Sequence, residues 1–129
     1  MNLLLDTHCV FWWLVEPARV SSKLRELVRN APDRVLVSHV SLWELAVKRS
    51  AGKLQLDVVR FAEQVAATGF EWLPITREHI LACDALVVRP DHRDPFDRLL
   101  VAQAGREAVQ LITADRALAA YGETVTVIA

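Results

Sequence analysis

Asp94-Pro95-Phe96-Asp97-Arg98-Leu99-Leu100-Val101-Ala102-Gln103-Ala104 reads as the start of a helix buried on most of its circumference. Aspartate caps free backbone N–H groups, and proline at the first helical position has none to satisfy, so the pair marks a helix start. At 3.6 residues per turn Asp94 and Asp97 share one face, Phe96, Leu99, Leu100 and Gln103 another, and Val101, Ala102 and Ala104 fill much of the rest. A helix apolar on so many sides belongs at the centre of a fold. As purely structural devices, Asp94 caps and Asp97 complements the helix dipole, each worth about 1 kcal/mol or less. Any further role depends on what the rest of the chain brings to them.

Upstream of this helix the chain alternates short apolar runs with amphipathic segments. Residues 2–5 form an apolar run that stops at Asp6-Thr7, and a helical pattern through Val10, Phe11, Trp13 and Leu14 follows, ending before Pro17. Phe11, Trp12 and Trp13 are core or interface residues on this pattern. A second helix starts at Ser21 or Ser22 and ends at Asn30-Ala-Pro-Asp33; the strand 35–37 comes next. From about Ser38 a third helix runs to Gly52. Within it Ser41 and Glu44 have capping-box spacing, and Glu44 precedes Lys48 by one turn. Val40, Leu42, Trp43, Leu45, Ala46 and Val47 surround Glu44 with apolar residues, where a carboxylate needs a partner or a metal. A fourth helix over 58–67, a strand at 71–73 and a helix from Thr76 through Ala85 complete this half, with His79 and Asp84 expected at the surface.

Beyond the central helix, Gly105 is a close-packing or stop position, residues 109–112 are a strand, and Thr113-Ala-Asp115 turns into a short helix broken at Tyr121-Gly122. Residues 125–128 are the last strand. Alternating strands and helices predict a parallel sheet covered on both faces, with every strand's C-terminal end along one edge, where ligands bind. Asp6 and Asp115 follow strands directly, and Glu44 and Asp97 are expected in the first turns of helices pointing the same way. Four carboxylates at one edge repel strongly unless divalent cations are present, and oxygen-only ligands select Mg²⁺ or Mn²⁺ over zinc. No serine triad, catalytic cysteine pair or phosphate-cradling glycine loop competes, so metal-assisted attack of water on a phosphodiester fits the pattern.

Composition narrows the partners. The chain of 129 residues is one domain of ordinary size, and its net charge of −1 does not advertise nucleic acid, so any phosphate binding is local. Arg19, Lys48, Arg49, Lys53, Arg93, Arg98 and Arg116 are the candidate phosphate contacts. A hydrophobic fraction of 53% is high for so small a domain, which predicts that another chain covers part of the surface. Cys9 and Cys83 have no zinc-like spacing and read as small buried hydrophobes. No signal sequence or membrane span is visible, and a cytoplasmic protein is expected.

The segments Leu3-Leu-Leu-Asp6-Thr-His8, Ser41-Leu-Trp-Glu44-Leu-Ala-Val-Lys48, His92-Arg-Asp-Pro-Phe-Asp97-Arg-Leu-Leu-Val-Ala-Gln-Ala104 and Leu111-Ile-Thr-Ala-Asp115 together resemble PIN-domain ribonucleases, specifically VapC-type toxins of bacterial toxin–antitoxin systems. The resemblance spans nearly the whole chain. It implies a three-layer α/β/α sandwich with a central parallel sheet, a single nuclease domain over residues 1–129, and Mg²⁺ or Mn²⁺ as cofactor. It also implies endonucleolytic cleavage of RNA, a homodimer and inhibition by a cognate antitoxin. By position Asp6, Glu44, Asp97 and Asp115 take the family's acidic roles, as catalytic residues and metal ligands. Thr113 matches a hydroxyl residue often found before the last acid, and Asp94 is an additional carboxylate. A phosphatase of the haloacid dehalogenase type also begins strand-Asp but needs a second Asp two residues on, where this chain has His8. A phospho-receiver domain needs an Asp at the end of an internal strand, where residues 35–37 lead into Ser38. A non-catalytic binding module on the same fold is the remaining alternative, separated from the enzyme by a metal titration.

Overall fold

The computed structural model describes residues 1–31 and 33–128; Pro32, in the expected stop of the second helix, and Ala129 lie outside them. Five parallel strands form one sheet in the order β3-β2-β1-β4-β5: β1 (Leu3–Leu5), β2 (Val35–Ser38), β3 (Glu71–Leu73), β4 (Gln110–Thr113) and β5 (Val125–Val127). Central β1 pairs Leu5 with Val37 of β2 on one side and with Ile112 of β4 on the other. Helices α1 (Thr7–Leu14), α2 (Ser22–Arg29), α3 (His39–Ser50), α4 (Val58–Ala67), α5 (Arg77–Ala85) and α6 (Pro95–Glu107) connect the strands, with 3₁₀ turns at Pro17–Arg19 and Arg116–Tyr121.

Every side chain of β1 is buried, so the strand has no polar alternation to read, yet its residues still divide between two faces. Leu3 and Leu5 join Cys9, Val10, Leu24, Phe61 and Val65 from α1, α2 and α4. Leu4 joins Leu36, Leu111, Leu99, Leu100 and Ala104, which is the α6 layer. Helix α3 feeds both layers, Leu45 into the first and Val40 into the second. The three-layer arrangement follows. Chain order runs outward from β1 to β3, then returns across β1 to β4, so the order reverses between β1 and β4. In open parallel sheets that reversal opens a crevice at the strands' C-terminal ends. No described helix is long and apolar enough to cross a membrane.

Several local expectations need correction. Ser38, not Ser41, caps α3: its hydroxyl oxygen accepts from the Val40 N–H at 2.9 Å, because β2 runs straight into the helix with no intervening loop. Glu44 therefore sits in the second turn, not the first. Gly105 lies inside α6 with open space around its Cα, neither a stop nor a close approach. The stop is Ala108, at φ 54° in the left-handed region, where a β-carbon is strained and glycine is not. Cys83 is only half-buried, whereas Cys9 is fully buried and burial pushes its thiol pKa far up, so it is inert. Ala108→Gly should stabilise the fold by about 0.5–1 kcal/mol, the relief of strain outweighing the added freedom of the unfolded chain. Thermal unfolding checks this as a rise of about 2–4 °C.

His79 is the largest departure. Instead of facing solvent it is fully buried, where its Nδ1 accepts from the Thr76 N–H at 3.0 Å and closes a reciprocal cap on α5. Its Nε2 lies 2.9 Å from Glu107 Oε2. Asp84 is exposed, as expected. Phe11, Trp12 and Trp13 are half-buried and pack against the first core layer; Arg19 stacks over Trp12 at 5.1 Å. Exposed apolar side chains include Ile80 and Leu81 of α5 with Val87 and Val88 just after it, Trp43 and Val47 of α3, and Val59 of α4.

Candidate functional site

Asp6 stands where β1 ends and α1 begins, and both of its carboxylate oxygens are engaged. Oδ1 accepts from the Cys9 N–H at 2.9 Å, as an N-cap does, and Oδ2 accepts from the Thr113 hydroxyl at 2.5 Å. The residue is buried, and desolvation raises its pKa, offset in part by those hydrogen bonds. Capping and a chemical role are therefore not exclusive: the cap is what fixes this carboxylate at the sheet edge.

Thr113 ends β4, the strand beside β1, and its oxygen also accepts from the Asp115 N–H at 3.0 Å. One buried hydroxyl thus ties Asp6 to the backbone of Asp115. Asp115 caps the following 3₁₀ turn with Oδ1, which accepts from the Ala117 N–H at 2.9 Å, leaving Oδ2 directed elsewhere.

Helix α6 delivers the third acid. Asp94 caps it, Oδ1 accepting from the Phe96 and Asp97 N–H groups at 2.8 and 3.2 Å. Asp97, in the first turn, makes no capping bond of its own. Its pKa is pushed up to about 7, first by desolvation, then by the negative charges of Asp94, Glu44 and Asp6, with His92 pulling the other way. Glu44 and Asp6, both far from Asp97 in sequence, are thus close enough to be felt by its carboxyl. Glu44 is buried on α3; its Oε2 pairs with Lys48 Nζ at 2.9 Å, while Oε1 has no hydrogen-bond partner among the described residues. The Thr7 hydroxyl donates to Ser41 Oγ at 3.0 Å and pins α1 to α3 three residues before Glu44.

The sequence reading missed His92. Its imidazole is 7% exposed, with Nε2 at 3.3 Å from Asp97 Oδ2 and 3.4 Å from Asp115 Oδ2. It lies in a polar loop without periodicity, so its orientation has no local signal beyond its place ahead of Asp94. Nonlocal packing sets it: Tyr121 meets the ring edge-on at 6.2 Å and 88°, and Arg89 stacks on the same tyrosine. Arg98 is also not a free phosphate contact. Its guanidinium donates to the carbonyls of Cys83, Leu86 and Val87 and to the Tyr121 hydroxyl, closing the end of α5 onto α6. Lys48 is committed to Glu44, and Arg19 lies 3.6 Å from Glu16, while Arg49, Lys53, Arg93 and Arg116 are exposed.

The donor set suits a hard divalent cation. A buried carboxylate oxygen without a partner, and an aspartate whose ionisation is opposed by three neighbouring acids, are both relieved by a cation and by little else in a protein. Asp6, Glu44, Asp97 and Asp115 are the residues that could hold it.

Residues 3–123 match the PIN domain family model. The chain is 30% identical to Ribonuclease VapC22 of Mycobacterium tuberculosis over 93% of its own length and 92% of that protein's. Its fold is similar to that of a toxin–antitoxin complex from Klebsiella pneumoniae, with TM-score 0.64 and 17% identity over 96% of this chain and 95% of that one. It is also similar to VapBC2 from Rickettsia felis bound to a promoter DNA fragment, with TM-score 0.62 and 16% identity over 98% and 97% of the two chains.

Proposed function

The chain belongs to the PIN-domain family, and on that premise we propose that it is a metal-dependent endoribonuclease acting in the cytoplasm as the toxin of a toxin–antitoxin pair. The observation that carries the reading is the approach of Asp97 to Asp115 at the sheet's order reversal, with Asp6 and Glu44 near enough for their charges to be felt by Asp97. Asp6, Glu44, Asp97 and Asp115 would hold Mg²⁺ or Mn²⁺. When bound, the cation supplies the positive charge that lets a phosphodiester approach these acids and acidifies the attacking water.

The chain's own residues do the rest. Thr113 keeps Asp6 and Asp115 in fixed register through its two hydrogen bonds, and Asp94 holds the first turn of α6 so that Asp97 faces the edge. Lys48 holds Glu44 Oε2, which leaves Oε1 as the Glu44 oxygen available to the cation. Exposed Arg93 and Arg116 flank Asp97 and Asp115 in sequence and are placed to steer the RNA backbone.

The single nuclease domain works with two protein partners, a second copy of itself and a cognate antitoxin; the Ile80, Leu81, Val87 and Val88 surface supports the first. Light scattering across a dilution series should give the mass of a dimer, and a monomer with undiminished activity would remove that part. The main test is cleavage of a mixed RNA pool by purified protein. Cleavage should stop in excess EDTA and return when Mg²⁺ or Mn²⁺ is added back, and undiminished cleavage in EDTA would overturn the assignment. Sequencing the RNA ends would then identify the substrate.

A further inference from the structure

We propose that His92 is a nitrogen ligand of the cation site, so that this chain's centre prefers Mn²⁺ to Mg²⁺ more strongly than an all-carboxylate site does. The inference rests on the reading above and adds a residue that the acidic pattern does not contain. Three observations carry it. The Nε2 of His92, Asp97 Oδ2 and Asp115 Oδ2 converge: ligand atoms of the three residues all lie within 4.8 Å of one another. The two nitrogen–oxygen separations, 3.3 and 3.4 Å, are at the long end for N–H···O hydrogen bonds and are shared by one nitrogen. They are close to the edge of an octahedron, since donors about 2.1–2.2 Å from one ion and at right angles are roughly 3 Å apart.

The second observation is burial. His92 is more than nine-tenths buried and among the described residues its Nδ1 has no hydrogen-bond partner, so only Nε2, beside the two carboxylates, can offset the desolvation of this ring. The third is rigidity. The backbone N–H of His92 donates to the Arg89 carbonyl at 3.1 Å, and Arg89 in turn stacks on Tyr121 and donates to the Ala120 carbonyl. Tyr121 closes the 3₁₀ turn that Asp115 begins, so the wall behind the imidazole and one of its carboxylate neighbours belong to the same short element. A ring braced in this way presents one nitrogen to the carboxylates and little else. Imidazole nitrogen suits first-row transition ions, whereas Mg²⁺ takes oxygen and keeps its waters.

The opposite role is a protonated His92 that clamps the two acids and stands where the cation would. The two roles change metal affinity in opposite directions when the ring is removed. Isothermal titration of metal-free protein with Mn²⁺ and Mg²⁺ should show His92→Gln weakening Mn²⁺ by about tenfold or more, within the range for lost support of a metal site, and Mg²⁺ by much less. Pulsed electron paramagnetic resonance of the Mn²⁺-loaded parent should show modulation from a directly bound ¹⁴N. That signal should persist in His8→Gln and vanish in His92→Gln. Equal weakening of both ions, tighter binding of either, or a parent spectrum without nitrogen would overturn the proposal. The parent spectrum decides even if His92→Gln folds poorly. If the parent binds neither cation, the proposed function falls too; if it binds both without a nitrogen signal, only the ligation by His92 falls.

Discussion

Asp97→Asn lowers metal-dependent RNA cleavage by about two to three orders of magnitude, while the metal-free variant melts no lower than its parent at pH 8. The loss follows from removing an anionic oxygen that a hard cation prefers, at the start of the helix around which the fold is built. The unchanged or raised melting temperature follows from linkage. Asp97 titrates near 7 in the folded protein and near 4 when unfolded, so between those values the native state holds a proton that the unfolded chain has lost. The contribution of this group to stability is therefore present below about pH 4 and declines as pH rises through 7. The buried Asp6 shifts in the same direction. Asn cannot ionise, so at pH 8 it is free of that penalty, as expected where function is kept at the expense of stability. A cation reverses the balance for the parent, which should gain melting temperature on addition of Mn²⁺ at pH 8, and the variant should gain much less. Asp94→Asn is the contrast. Its Oδ1 accepts from two backbone N–H groups as a cap, and Asn caps as well as Asp, so substantial cleavage should remain. Thermal melts at pH 5 and 8 and cleavage rates for both variants check the pair. Equal inactivity of a well-folded Asp94→Asn would put Asp94 in the metal or water shell.

The sheet, its helices and the positions of Asp6, Asp97 and Asp115 at element ends were legible because each depends on local punctuation, whereas Glu44 lies a turn deeper than expected. Asp6-Thr7, Thr76 and Asp94-Pro95 cap helices through their own side chains within two or three residues, and the structure places those caps as read. Ser38 and Ser41 show where local chemistry is insufficient. Both can cap, and the choice was made by β2 running on through Ser38, which depends on its pairing with β3 at Leu73. The two buried histidines were illegible for a related reason. His79 is sheltered by Gln103 and Glu107 of α6, and His92 by Tyr121, Asp97 and Asp115, partners 24 and 28 residues away in the first case. A histidine in an otherwise polar segment gives no periodic sign of such shelter. Arg98 failed likewise: its sequence neighbours suggest a charged helix face, but the carbonyls at the end of α5 are what it serves.

Gln103→Ala should cost about 3–4 kcal/mol of stability, through a cavity and the stranding of buried polar groups. Gln103 is completely buried in α6 and uses both ends of its amide. Oε1 accepts from the Ser38 hydroxyl at 2.5 Å, and Nε2 donates to the Pro74 carbonyl at 3.3 Å and to His79 Nδ1 at 3.2 Å. Because Nδ1 also accepts from the Thr76 N–H, the ring proton sits on Nε2, where it meets Glu107. One amide therefore joins the cap of α3, the end of β3, the cap of α5 and the C-terminal turn of α6. Truncation removes the acceptor for Ser38 and the donor for Pro74 together, in a place water cannot reach without opening the core. At roughly 0.05–0.15 kcal/mol per residue the whole domain has little more than two to five times that margin, so a fall of about 10 °C or more in melting temperature is expected. Gln103→Leu separates the causes, since it restores most of the volume and none of the hydrogen bonds. It should recover less than half of the loss, and full recovery would mean that packing alone holds α6. The same bonds link stability to chemistry. Ser38 starts the helix that carries Glu44, and Gln103 lies on the helix that carries Asp97, so loosening their bond lets the two acids drift apart. Gln103→Ala should accordingly bind Mn²⁺ more weakly even at temperatures where circular dichroism finds it fully folded, whereas Ala108→Gly, at the far end of α6, should not.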